Sequence, residues 1–134
     1  MASFFMGEVM IIGVGTDICS VRRIERAVVR EEFVRRVYTL DEICYCKDRK
    51  KGEAASFAAR FAAKEAVLKA FGTGLRRGKM TDVEVITDEL GAPRIRLHGE
   101  MKNFAEEKRV TEIYISLSHE HDYATAFCVM EGHG

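Results

Sequence analysis

Between Phe57 and Gly74 the chain reads FAARFAAKEAVLKAFGTG, an alanine-rich run in which Arg60, Lys64 and Lys69 surround one carboxylate, Glu65. A carboxylate among fixed cations suits a divalent metal and the phosphates that accompany it. The same spacing also makes Glu65 and Lys69 an ordinary i,i+4 pair, worth only about 0.2–0.5 kcal/mol on a surface helix. A second carboxylate, Asp17, follows Gly13-Val14-Gly15-Thr16, and paired with Glu65 it completes what a hard cation such as Mg²⁺ takes from a protein. Asp after Gly-Thr is equally common as a plain turn residue. His119, in Ser116-Leu117-Ser118-His119, stands where a strand should end, a place from which a side chain can reach a ligand. Its imidazole can meet a phosphate, and Ser116 and Ser118 can donate hydroxyl hydrogen bonds.

These residues need elements to hold them. At 100° per residue Phe57, Phe61, Leu68 and Phe71 form one apolar stripe of a long helix, with Glu65 and Lys69 at one edge and Arg60 and Lys64 at the other. Lys64 falls close to the apolar face, where a cation needs a partner or a wet cleft. Val9 to Val14 is a β-branched run that predicts a buried strand, stopped by Gly13, Gly15 and Thr16 and exiting at Asp17. Ser20 can cap a helix through Val21, Ile24, Ala27 and Val28, and Thr39-Leu-Asp-Glu is a capping box for a short helix towards Cys46. Lys47 to Glu53 reads as a basic loop, and Gly72 to Gly78 as a turn-rich basic connection. Strands at Val83–Val85 and Ile95–Leu97 flank a loop in which Pro93 can preset a turn. A helix from Gly99 to Lys108, entered at His98, and final strands over Glu112–Leu117 and Ala124–Met130 complete the order. Strand, helices, hairpin, helix, hairpin is an α+β arrangement, a small antiparallel sheet on a long central helix. Neither a Rossmann nor a P-loop reading survives, because Gly13-Val14-Gly15-Thr16-Asp17 lacks a third glycine and a Gly-Lys-Ser/Thr ending.

The 134 residues predict a single domain, with Met1 to Glu8 as a loose leader. Basic and acidic residues balance at 21 each, which argues against a general nucleic-acid binder. The balance is nevertheless uneven: Arg22, Arg23, Arg26, Arg30, Arg35 and Arg36 crowd one segment, a face for an acidic partner. Cys19, Cys44, Cys46 and Cys128 show no zinc spacing and, with no secretory signal in view, are expected as reduced thiols in a cytoplasmic protein. No apolar run approaches the roughly 20 residues that span a bilayer, so no membrane association is expected.

Taken together, these patches resemble the holo-acyl-carrier-protein synthase family, the short bacterial class of 4′-phosphopantetheinyl transferases. The resemblance rests on Gly13-Val14-Gly15-Thr16-Asp17-Ile18, on Arg60-Phe61-Ala62-Ala63-Lys64-Glu65-Ala66 with Lys69-Ala70-Phe71-Gly72-Thr73-Gly74, and on Ile115-Ser116-Leu117-Ser118-His119. Phe33, Arg36, Thr39, Asp88, Gly91, Pro93 and Tyr123-Ala124-Thr125-Ala126 fall in the expected order between and after them. It implies transfer of the phosphopantetheine arm of coenzyme A to a serine of acyl carrier protein, with release of adenosine 3′,5′-bisphosphate, in fatty acid biosynthesis. It further implies Asp17 and Glu65 as Mg²⁺ ligands, and Glu65, Lys69 and His119 as the catalytic set, with Glu65 or a metal-oriented water as base. For coenzyme A it implies Lys69 and His119 on phosphates, Lys50, Lys51 or Arg60 on the 3′-phosphate, and Gly72, Thr73 and Gly74 near the nucleotide. Arg23, Arg26 and Arg30, at i, i+3 and i+7 on one helix face, would dock the acidic carrier protein, and a homotrimer would share each site between neighbours. Without the resemblance, the same residues support a Mg²⁺-dependent nucleotide phosphohydrolase, or a non-catalytic module that binds the carrier through its arginines.

Overall fold

A computed structural model describes residues 8–72 and 76–134. The chain opens with β1 (Val9–Ser20), then α1 (Val21–Ala27), α2 (Glu31–Val37), α3 (Leu40–Asp48) and the long α4 (Glu53–Phe71). The hairpin β2 (Val83–Thr87) and β3 (Pro93–Leu97), helix α5 (Gly99–Glu107), and strands β4 (Val110–His119) and β5 (Tyr123–His133) follow. All pairing is antiparallel: one sheet in the order β1-β5-β4, and β2-β3 as a separate two-stranded sheet. The expected α+β class holds, with the hairpin paired as its own sheet and β3 lying beside β4.

The helix α4 is buried on more than its aromatic stripe. Phe57, Leu68 and Phe71 are inside as predicted, but so are Ala58, Ala62, Ala63, Ala66 and Ala70. The alanines lie under β1, where Gly13 and Gly15 make the contact possible. A Cβ on Gly15 would stand 2.0 Å from the Ala66 carbonyl oxygen, and one on Gly13 2.1 Å from that of Ala70. These glycines are therefore sites of close approach and not strand stops. That corrects the position of Asp17: β1 runs on to Ser20, and Asp17 sits within it, opposite Ala126 of β5.

Two further expectations change. The arginine-rich segment is not one helix: α1 ends at Ala27, a turn follows, and Arg30 is the N-cap position of α2. Arg23 and Arg26 thus share α1, and Arg30 belongs to the next element. Pro93 is the first residue of β3, opposite Thr87, where a strand needs no donor from it. The loop is shaped by Asp88 instead, whose Oδ1 accepts from the backbone N–H groups of Leu90 and Ala92, each at 2.9 Å. Local signals fared better. Ser20 caps α1, Thr39 and Glu42 complete the capping box of α3, and Gly72 ends α4 in the left-handed region at φ 83°.

Candidate functional site

Asp17 has the same strand parity as Gly13 and Gly15, so it faces α4, where one turn of helix offers Glu65 and the next Lys69. The Lys69 ammonium donates to Asp17 Oδ1 at 3.0 Å and to the Thr16 carbonyl at 3.0 Å. It therefore pairs with the strand and not with Glu65: no Glu65–Lys69 ion pair forms among the described residues. Asp17 is largely shielded, its side chain 15 % exposed. Glu65 is half-buried, and its carboxyl is held above the ordinary range. Burial is the main cause, the charge of Asp17 adds to it, and Lys69 works in the opposite direction.

Both carboxylates line one cleft of about 690 Å³. Arg23 and Arg30 line it too, and Ile24, Phe33, Phe61 and Tyr123 give it an apolar wall. Arg26 is exposed and outside that lining. The arrangement joins a paired-carboxylate floor, a lysine one turn along, and an arginine-flanked groove, the makings of a site for a metal-bound phosphate ester and an acidic partner. Phe61 was legible as part of a stripe, but the wall formed with Ile24 and Tyr123 was not, because it joins α1, α4 and β5.

The other sequence candidates lie elsewhere. His119 is the exposed last residue of β4, opposite Ala124, with β5 separating it from β1, and it does not line the cleft. Lys50 and Lys51 are exposed in a 3₁₀ turn (Lys50–Gly52), with Lys50 at φ 53°. Arg60 is only 5 % exposed. Its guanidinium carbon lies 3.9 Å from the centre of the Tyr45 ring, and its Nη2 donates to Thr87 Oγ1 at 3.0 Å. Gly72 caps α4, while Thr73 and Gly74 lie outside the described residues. No group of three or more His, Cys, Asp or Glu with metal-holding geometry occurs among the described residues.

The residue that sequence reasoning missed is Glu42. Its capping role was visible, but it is also the partner that Lys64 needed: the two are fully buried and 2.7 Å apart. Burial pushes the Lys64 ammonium below its ordinary range while Glu42 pulls it back up.

Comparison with known proteins places the chain in a family. The sequence pattern of the 4′-phosphopantetheinyl transferase superfamily matches residues 13–128. A holo-[acyl-carrier-protein] synthase from Ruminiclostridium cellulolyticum is 47 % identical over 119 residues, covering 87 % of this chain and 89 % of the relative. The crystal structure of the holo-[acyl-carrier-protein] synthase of Neisseria meningitidis superposes with a TM-score of 0.82 at 35 % identity, covering 90 % of this chain and 98 % of that one. The Helicobacter pylori synthase in complex with coenzyme A superposes at 0.77 with 31 % identity, covering 87 % and 98 %.

Proposed function

The chain belongs to the 4′-phosphopantetheinyl transferase superfamily, and from that premise we infer that the Asp17–Glu65 cleft is where the phosphopantetheine arm of coenzyme A is moved to acyl carrier protein. The enzyme is a holo-[acyl-carrier-protein] synthase in kind, as are its curated relatives. One observation carries the assignment of the site. Asp17 and Glu65, on different elements, meet in a single cleft that Arg23 and Arg30 also line.

The two carboxylates fit a hard divalent cation, since they face one cleft and the charge of one already raises the proton affinity of the other. Asp17 and Glu65 would hold Mg²⁺, which when bound would neutralise charge on the pyrophosphate of coenzyme A. Lys69, 54 % exposed and anchored at Asp17, is placed to reach a phosphate oxygen from the same side. Glu65, which lines the same cleft, is the residue proposed to accept the proton of the attacking carrier serine. Adenosine 3′,5′-bisphosphate is the leaving product. Its 3′-phosphate falls to the exposed Lys50 and Lys51, because Arg60 is buried against Tyr45 and Thr87. The backbone at Gly72, which ends α4 in the left-handed region, is assigned to the nucleotide.

Arg23 and Arg30 dock the acidic carrier at the mouth of the cleft, with Arg26 extending that face. A homotrimer supplies His119, which this chain does not bring to its own cleft, from a neighbouring subunit. The outer face of the three-stranded sheet supports that reading. Val14, Tyr114 and Phe127 are each about half exposed, and no described element covers them. The whole chain is read as one such transferase domain serving fatty acid biosynthesis in the cytoplasm. Within the described residues no helix is long and apolar enough to cross a membrane.

The test is incubation with coenzyme A, Mg²⁺ and an apo acyl carrier protein. The carrier should gain the mass of the phosphopantetheine arm as adenosine bisphosphate appears. Hydrolysis of coenzyme A with no change in the carrier would instead favour a phosphohydrolase.

A further inference from the structure

Lys64 immediately precedes Glu65 yet projects about 100° away around the helix. Its ammonium is 0 % exposed, beside an equally buried Glu42. It lies 2.7 Å from Glu42 Oε1 as an ion pair and donates to the Met80 carbonyl at 3.1 Å and to the Val83 carbonyl, so three oxygens surround it. Glu42 is as fully committed. Its Oε1 also accepts from the Thr39 N–H at 2.9 Å, and its Oε2 from the Val85 N–H at 2.8 Å. The pair ties α4 to the start of α3, to the 3₁₀ turn Met80–Asp82 and to β2.

Stability is a poor reason for such a pair, because an apolar pair of similar volume commonly does as well or better in a protein interior. What apolar side chains cannot do is reject other arrangements. An ion pair and two hydrogen bonds, reaching three elements, are satisfied together at one rotation and one height of the helix. On the face of α4 that meets β1, the side chains offer little such constraint. The face under β1 is alanine, met by the backbone of Gly13 and Gly15. Small side chains fix how closely the helix approaches, but they offer few ridges to stop it turning.

We propose that Lys64 and Glu42 are positioning residues for the transfer reaction: their buried pair sets the rotation of α4 that carries Glu65 to Asp17. The inference rests on the reading of those two carboxylates as the metal pair. A turn of about 20° about the axis moves a side-chain tip by about 2 Å. Displacement of a reacting group by about 1 Å can already cost about a hundredfold in rate.

The decisive variant is Lys64→Met with Glu42→Leu, which removes both charges and keeps the volume. It should melt at or above the wild-type temperature. Its Mn²⁺ dissociation constant, followed by the electron paramagnetic resonance of free Mn²⁺, should rise at least about tenfold, and kcat should fall by at least as much, with KM for the carrier unchanged. A folded double variant with wild-type Mn²⁺ uptake and kcat overturns the proposal. Should the double variant not fold, Lys64→Arg carries the test. It keeps the charge and displaces the donors, so weakened Mn²⁺ uptake supports positioning and wild-type uptake refutes it. The underlying metal assignment is examined separately by Glu65→Gln in the unaltered background. Mn²⁺ uptake that persists there sinks that assignment, and this inference with it.

Discussion

A carboxyl group that holds its proton more tightly in the folded chain than in the unfolded one works against folding wherever it is ionised. Glu65 is such a group, lifted above its ordinary value near 4.5 by burial and by Asp17. Its unfavourable contribution is absent below that ordinary value, grows as pH rises through the window up to the raised value, and is constant beyond it. Glu65→Gln keeps the volume and removes the charge. In the presence of a chelator the variant should therefore melt a few degrees above wild type at about pH 7, and the two should converge near about pH 4. Equal melting temperatures across that range would show that burial and Asp17 together do not oppose ionisation of Glu65. The same variant should lose transfer activity by at least about a hundredfold, a gain in stability at the cost of function that marks a site under strain. Asp17 and Glu65 were legible as chemistry-bearing residue types at suggestive spacings, but their meeting was not, since it depends on how β1 lies across α4. Lys64 was legible only as a cation in need of a partner. Glu42 had already been accounted for as a cap, so nothing in the sequence joined the two.

Elements announced by local chemistry were readable, and those set by packing were not. Thr39-Leu-Asp-Glu carries its own hydrogen bonds, and the capping box forms as written. Thr39→Ala should cost about 1 kcal/mol for the lost cap. It should cost more than a solvent-exposed cap would, because Thr39 Oγ1 also donates to the buried Glu84 at 2.6 Å. Burial opposes ionisation of Glu84, but Thr39 and His98, aided by Arg96, outweigh it and hold the carboxyl below the ordinary range. In β1 the local signal misled. Gly13 and Gly15 resemble a strand's end, whereas their lack of a side chain lets the strand lie directly on α4. Gly15→Ala therefore forces a methyl group into the Ala66 carbonyl and should destabilise the fold by about 1–3 kcal/mol or more, read as a lower urea midpoint. Because Asp17 lies on the same strand, transfer should fall in this variant even at temperatures where it remains folded. A midpoint equal to wild type would mean that β1 and α4 are not in the close contact described. The break between α1 and α2 was likewise hidden: the arginines keep a helical spacing through a turn that ends one helix and starts another.

At the scale of the molecule the outer sheet face and the position of His119 pose the same question. β1, β5 and β4 turn Val14, Tyr114 and Phe127 outwards, and His119 ends β4 outside the lining of the Asp17–Glu65 cleft of its own chain. Subunits associating through that face would bury apolar surface that otherwise meets water, worth about 25 cal/mol per Å². Phe127→Glu should then yield monomers in sedimentation, with transfer activity lost although the cleft residues are untouched. A second experiment separates shared sites from mere association. His119→Ala and Glu65→Gln chains should each be inactive alone. If each site takes Glu65 from one subunit and His119 from another, chains mixed in equal amounts, unfolded and reassembled will contain sites in which both residues are intact. With each position intact in half of the chains, about one quarter of wild-type activity should return. Sites contained within single chains would recover nothing, because no chain in the mixture carries both residues.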